Sequence, residues 1–266
     1  MARGKSFTRA GGSQRADTSA LSAVFGSISE SPSGALPVSS VVLKSFRPAG
    51  LIPAYQADET VGAVARGALR HLELVLVVDD GSSDGTSARA EDAGAEVLRL
   101  AENSGKGSAI RDGLARLLAT DASHVAFLDS DGQHDPDDLP SLLAAARAGD
   151  DFVIGSRMAD PEATPAYRYR TNEIGSRILT RMTGHEVEDG QSGYRVISAD
   201  LLRRLRLKSK GYLIETEILL KAAPFVRRFR HVPVKAIYGG PSHYRPFRDT
   251  WLISWGAVYF KVFETD

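Results

Sequence analysis

Val125-Ala126-Phe127-Leu128-Asp129-Ser130-Asp131-Gly132-Gln133-His134-Asp135-Pro136 is the stretch whose reading decides the fold. Its apolar half is short enough for a buried strand rather than a helix, and it ends abruptly in two aspartates one residue apart. Along a strand Asp129 and Asp131 point the same way, and where the strand yields to the turn that Gly132 permits they curl around one point. Two hard oxygen ligands at one point suit Mg2+ or Mn2+. Those ions take one or two carboxylates, keep several waters and fill their remaining positions with substrate phosphates. The strand end therefore points to a metal-bridged phosphate substrate. The alternative for a lone Asp-x-Asp is a polar loop whose aspartates only cap the next helix.

Spacing excludes three other motifs. A calcium loop of the EF-hand type needs glycine at its sixth position, where His134 stands. Asn103-Ser104-Gly105-Lys106-Gly107 lacks the earlier glycine and the Ser or Thr after lysine of a P-loop. It also fails as Gly-x-Gly-x-x-Gly, because Ile110 takes the place of the third glycine.

Outward from this stretch, strand and helix patterns alternate. Gly50-Leu51-Ile52-Pro53-Ala54-Tyr55 enters after Pro48, a helix pattern covers 58–71, and a strand at 74–78 closes in Asp79-Asp80-Gly81-Ser82-Ser83-Asp84-Gly85-Thr86. Helix 84–92, strand 95–100, helix 107–118 and strand 123–128 follow, then helix 137–147, strand 151–155, an arginine-rich loop with Arg168 and Arg170, and helix 172–183. This alternation predicts an α/β domain with a doubly wound, mostly parallel central sheet flanked by helices. Ligands of such sheets sit beyond the carboxyl ends of the strands, where both acidic turns, 79–85 and 129–135, are expected.

The remaining features set limits. With 266 residues and 42% apolar content, one sizeable domain is expected at 49–246. Lysine plus arginine equal aspartate plus glutamate at 33 each, which argues against a nucleic-acid-coating protein. There is no cysteine, so disulfides and thiolate metal sites are excluded. No run of about eighteen apolar residues offers a spanning helix. Residues 1–48, rich in Ser, Gly, Ala and Arg, read as a disordered tail, although Val41-Val42-Leu43 could form a strand. Its arginine-rich, acid-poor start also has the flavour of an organelle transit segment. At 247–266 an amphipathic helix is expected, with Trp251, Trp255, Tyr259 and Phe263 on one stripe and His243, Arg245 and Arg248 just before and within its start. That stripe suits a membrane interface, with docking against the protein's own core or a second subunit as the alternative.

Taken together, the segments resemble the family-2 inverting glycosyltransferases of the GT-A fold, and within them the polyprenyl- or dolichyl-phosphate mannosyl- and glucosyltransferases. The resemblance rests on Ile52-Pro53-Ala54-Tyr55, Val78 to Thr86, Asn103 with Gly105-Lys106-Gly107, Leu128 to Pro136, Gly155-Ser156-Arg157, Asp189 with Ser192-Gly193-Tyr194-Arg195, and Ile214-Glu215-Thr216-Glu217. It implies transfer of a hexose, mannose or glucose, from a GDP- or UDP-sugar to a polyprenyl phosphate (dolichyl or undecaprenyl), with inversion and with Mg2+ or Mn2+ as cofactor. It also implies a peripheral place on the cytoplasmic face of the membrane. Pro53, Ala54 and Tyr55 match the turn receiving base and ribose, and Asp80 the acidic contact to base or ribose. Lys106 and Ser130 border the donor, Asp129 and Asp131 bind the ion, and Gln133 is a third metal contact. Asp131, Asp189 and Arg195 fall on the catalytic set, while Arg157, Arg168, Arg170, Ser192 and Arg195 are expected around the acceptor phosphate.

Two departures stand out. The family's Asn-Glu after the tyrosine is Gln56-Ala57 here, so an acidic nucleotide contact must come from Asp58 or Glu59 if it exists, and the first strand looks short behind Pro48. Three other functions fit parts of the pattern. A family-2 transferase with a soluble or cell-envelope hydroxyl acceptor would need a base, for which Asp189 is the candidate. An aspartate-nucleophile phosphatase would also use Asp-x-Asp-Gly at a strand end, and a non-catalytic nucleotide-sugar binding protein would keep the pocket alone.

Overall fold

The computed structural model describes residues 45–158, 166–235 and 237. The expected tail, apart from its last residues, and the aromatic stripe at 247–263 lie outside them. The described strands form one seven-stranded sheet: β1 (Pro48–Ala54), β2 (Leu74–Asp79), β3 (Glu96–Arg99), β4 (His124–Phe127), β5 (Phe152–Ser156), β6 (Arg195–Ser198) and β7 (Phe229–Pro233). Their order is β3-β2-β1-β4-β6-β5-β7. All neighbours are parallel except β6, which runs antiparallel to β4 and β5. The α/β sheet expected from the sequence is present, with one reversed strand inside it.

Both faces of the central strands are buried, which is why these strands read as almost continuous apolar runs. Leu51, Leu76, Val78, Val125 and Phe127 face one core, with Ile110, Leu114 and Leu117 of α3 (Lys106–Leu118) and Ile214 and Ile218 of α7 (Leu213–Ala222). Ile52, Val75, Val77, Ala126 and Leu128 face the other, with Val61, Val64 and Ala65 of α1 (Val61–Leu69) and Leu139 and Leu142 of α4 (Leu139–Arg147). From β1 the chain passes outward through β2 and β3, then returns to β4 on the other side. Such a reversal opens a crevice at the carboxyl ends of β1 and β4, and Asp129 follows β4 there.

Several boundaries differ from the sequence reading. Pro48 does not cut the first strand short. It is the strand's first residue, a position that tolerates proline, and it pairs with His124. Phe46 is already packed against the His124 ring at 5.0 Å and under the Arg147 guanidinium. Helix α1 begins at Val61 rather than 58, because residues 56–58 are stapled to the next acidic turn. Helix α2 spans Thr86–Asp92, and a 3-10 turn at Pro136–Asp138 precedes α4. Helix α5 spans Ala166–Thr183, so Arg168 and Arg170 belong to a helix and not to a loop. Strands β6 and β7 and the short helix α6 (Ala199–Leu202) were not anticipated.

Candidate active site

The acidic loop after β4 is fixed from both sides. Leu128 N–H donates to Leu51 O of β1, and Thr60 Oγ1, at the start of α1, donates to Ser130 O at 2.6 Å. Gly132 takes a left-handed φ of 72°, and Gln133 N–H donates back to Asp131 Oδ1 at 2.9 Å. Gln133 O accepts from Ile237 N–H, and Asp138 Oδ2 accepts from Lys235 N–H, so the chain leaving β7 runs along this loop. Tyr194 donates its hydroxyl to Asp135 O at 3.2 Å.

Asp129 lies at the centre. Its Oδ1 pairs with Lys106 Nζ at 2.6 Å, and its Oδ2 lies 3.5 Å from His134 Nε2. Lys106 Nζ also meets Glu215 Oε1 of α7 at 2.5 Å. Burial alone would raise the Asp129 carboxyl, but Lys106 and then His134 hold it well below the usual carboxylate range. Burial alone would lower Lys106, but Asp129 and Glu215 together push it above the ordinary lysine value, so it remains an ammonium. Asp131 makes no ion pair among the described residues, and the pull of His134 and Lys106 on it is smaller. Burial, and then the charge of Asp129, push its carboxyl up. The buried His134 stacks obliquely on Tyr194 with ring centres 5.0 Å apart, and its Nδ1 has no hydrogen-bond partner among the described residues.

The donor chemistry at this loop fits a divalent ion. A carboxylate raised by a neighbouring carboxylate is relieved by added positive charge, and both groups offer hard oxygens. Among the described residues no group of three or more His, Cys, Asp or Glu converges on one point. The fit is thus to an ion of the class that takes two carboxylates and completes its shell from substrate and water.

Glycines let other segments approach this point. A Cβ on Gly193 would collide with the Asp129 carboxylate. Gly105, with φ 93°, and Gly107 lie under the 209–211 segment, where Gly107 N–H donates to Lys210 O at 2.7 Å. That segment is held in turn by the buried Glu217, whose two oxygens accept from Lys208 N–H and Ser209 N–H, each at 2.8 Å. Pro53, Lys106, Asp129, Arg195 and Glu215 share an apolar-floored hollow with Phe127 and Ile218.

The second acidic turn lies on the same rim. Asp80 N–H donates to Ala54 O, and the two Asp80 oxygens accept from Ser104 N–H and Gly105 N–H at 2.9 and 2.7 Å. Its carboxylate therefore anchors the turn that starts α3. Gln56 has a left-handed φ of 50°, unusual for a residue with a side chain, and is held there by its N–H to Ser82 Oγ and its Nε2 to Ser83 Oγ. Ala57 N–H reaches Thr86 Oγ1 at 2.8 Å, and Asp58 N–H reaches Asp84 Oδ2 at 3.3 Å. Beside this braced turn Tyr55 presents its ring to solvent, 41% exposed.

The expected acceptor residues divide. Asp189 is fully buried, and its oxygens accept from Arg157 Nε at 2.8 Å, Arg157 Nη2 at 3.0 Å, Arg157 N–H and Asn172 Nδ2. Burial opposes its ionisation, but the Arg157 guanidinium holds its carboxyl below the ordinary value. A carboxylate so saturated is a weak base. Arg195 is also buried, and its Nε, Nη1 and Nη2 donate to the carbonyls of Ser192, Glu215 and Gly190 at 2.7, 2.8 and 2.9 Å. It stitches the 190–195 turn to α7, which makes it a positioning residue in this structure. Ser192 is buried, with its Oγ accepting from Tyr194 N–H. Arg170 is exposed on α5, and Arg168 lies on the same helix. Glu215 and Glu217 were missed as site residues, although the Ile214-Glu215-Thr216-Glu217 segment was a visible signal.

Comparison with known proteins adds an independent line. The pattern named glycosyl transferase family 2 matches residues 51–206. A glycosyltransferase of Haloferax volcanii is 34% identical over 213 residues, covering 76% of this chain and 68% of that one. The undecaprenyl-phosphate mannosyltransferase of Micrococcus luteus is 34% identical over 198 residues, covering 69% and 81%. In fold, the crystal structure of glucosyl-3-phosphoglycerate synthase from Mycobacterium tuberculosis, in complex with Mn2+ and UDP-glucose, superimposes with a TM-score of 0.63. It is 22% identical and covers 82% of this chain and 78% of that one.

Proposed function

The chain belongs to glycosyl transferase family 2 and is a glycosyltransferase, and from that premise we propose that it moves a hexose from a nucleoside-diphosphate sugar to a polyprenyl phosphate, with inversion and with a divalent metal ion. The observation that carries this reading is the Asp129–Asp131 pair at the carboxyl end of β4, beside the buried Lys106. Asp129 and Asp131 would hold Mg2+ or Mn2+. Bound there, the ion would offset the negative charge that grows on the leaving diphosphate.

The chain's own residues supply the rest. Tyr55 offers an exposed ring on which the base can stack, next to the braced 56–58 turn. Pro53 and Ala54 form the floor of that turn, and Asp80 fixes the Ser104–Gly105 backbone so that α3 starts beside the diphosphate. Lys106 provides a second positive charge. A phosphate acceptor has a second pKa near 6 and is already largely ionised at neutral pH, so it needs no general base. One acceptor oxygen attacks the anomeric carbon from the face opposite the diphosphate, and the bond to the diphosphate breaks as the new one forms. Arg157 and Arg170 would ease the meeting of two anions, because a guanidinium fork matches phosphate oxygens.

The saturated state of Asp189 bears on the acceptor class. A hydroxyl acceptor would need a base, and both Asp189 oxygens are engaged by Arg157 and Asn172. The undecaprenyl-phosphate acceptor in the name of the Micrococcus luteus relative supports the same choice. Among the described residues no helix is long and apolar enough to cross a membrane. We place the enzyme peripherally on the cytoplasmic face, where nucleotide sugars meet lipid phosphates. Calorimetric titration with GDP, UDP and their sugar conjugates, with and without Mn2+, tests the donor half of the reading: metal-dependent binding of one nucleotide is expected. Failure of every nucleotide to bind contradicts it.

A further inference from the structure

Lys106 is the first residue of α3, where the partial positive charge of a helix disfavours an ammonium. Its Nζ nonetheless sits 2.6 Å from Asp129 Oδ1 and 2.5 Å from Glu215 Oε1, with all three side chains largely buried. Glu215 is fixed from behind, since its own carbonyl accepts from Arg195 Nη1 at 2.8 Å. Tyr212 closes one side, with its ring centre 5.6 Å from the ammonium. Gly193 closes another, against the Asp129 carboxylate. The ammonium thus stands where positive charge must sit to serve Asp129, and it has a second carboxylate already in contact.

We infer that Lys106 is the resident counter-ion of Asp129 when no donor is bound, and that Glu215 is the positioning residue that keeps the ammonium paired while Asp129 turns to a divalent ion. The inference rests on the reading of Asp129 and Asp131 as the ion's carboxylates. Without Glu215, releasing Asp129 would leave a buried ammonium with no carboxylate, which is strongly unfavourable. An ion arriving alone must compete with Lys106. A nucleoside diphosphate arriving with it brings anionic oxygens that give Lys106 a new partner. Ion and nucleotide therefore bind cooperatively, each weakly alone, and the coupling passes through Lys106.

The test is the binding of Mn2+ to the full chain, read from the electron paramagnetic resonance of free Mn2+, with and without GDP or UDP. Lys106→Met is expected to bind Mn2+ alone at least tenfold more tightly than wild type, and to lose most of the gain that nucleotide brings. Glu215→Gln is expected to weaken Mn2+ binding severalfold in the wild-type background and by less than twofold beside Lys106→Met, because its effect runs through the lysine. Unchanged or weaker Mn2+ binding by Lys106→Met overturns the inference. An equal effect of Glu215→Gln in both backgrounds also overturns it, and makes Glu215 a direct ligand. Asp129→Asn beside Lys106→Met separates this from the functional reading: loss of the gained affinity keeps Asp129 as a ligand, and its retention removes the functional reading along with the inference. Circular dichroism checks the fold. If Lys106→Met does not fold, Lys106→Gln takes its place in each comparison, with the same results supporting or overturning the inference.

Discussion

The backbone of Gly193 lies against the carboxylate of Asp129, so close that a Cβ at 193 would overlap it. The contact exists because β6 runs antiparallel beside β4, which brings the turn entering β6 to the rim where β4 ends. Gly193→Ala must therefore move either Asp129 or the 192–194 backbone, and overpacking of this kind costs about 1–3 kcal/mol. The expected result is a folded protein with a thermal midpoint a few degrees lower and transfer activity reduced at least tenfold. Wild-type activity would show that the position of Asp129 is not critical.

Asp131→Asn should leave the fold intact and abolish metal-dependent transfer. Its carboxyl is raised by burial and by Asp129, so neutralising it removes a repulsion, and stability at pH 7 should be equal to or greater than that of wild type. Parallel urea unfolding and transfer assays check both halves. Activity near wild type would remove Asp131 from the site.

Asp189 makes the pH prediction. Its folded-state carboxyl lies below the ordinary value of 3.8, because Arg157 outweighs the cost of burial. The group therefore contributes stability that is fully present above about pH 4 and lost as pH falls below that value toward the folded one. Asp189→Asn leaves Arg157 facing a neutral amide and should cost roughly 3–5 kcal/mol at pH 7. The gap from wild type should narrow below pH 4. Urea unfolding of both proteins from pH 3 to 7 gives the comparison, and a gap that does not change with pH would contradict the pairing.

Glu217 ties Lys208 N–H and Ser209 N–H to α7 and accepts from Lys221 Nζ at 2.7 Å. Glu217→Ala leaves two backbone donors without their acceptor and is expected to cost about 2–4 kcal/mol. Amide exchange at residues 208–211 should rise more than exchange in β1 and β2. Uniform exchange across both regions would show that Glu217 acts on the whole core rather than on this segment.

Much of the site was legible because its chemistry sits at abrupt changes in the sequence. Buried strands ending in Asp79-Asp80 and in Asp129-Ser130-Asp131 announce themselves by an apolar run that stops at acid. The strand β6 did not, since it is four residues long and opens with Arg195, whose burial makes sense only once the carbonyls of Gly190, Ser192 and Glu215 converge on it. The early start of α5 was hidden in a segment whose arginines gave no clear apolar period. The Lys106–Glu215 pair spans 109 residues of sequence, and nothing local to either residue states it. Likewise, the Gln56-Ala57 departure gave no sign that Ser82 and Thr86 brace this turn through its backbone N–H groups and Ser83 through the Gln56 side chain.

The central claim is tested most directly by incubating the purified protein with undecaprenyl or dolichyl phosphate and radiolabelled GDP-mannose, UDP-glucose or UDP-N-acetylglucosamine, with Mn2+ or with a chelator. The account predicts that label from one donor moves into the organic phase as a lipid-linked monophosphate sugar, that chelation stops the transfer, and that Asp131→Asn does not support it. Label that enters only water-soluble products, or lipid labelling that survives chelation, would contradict it.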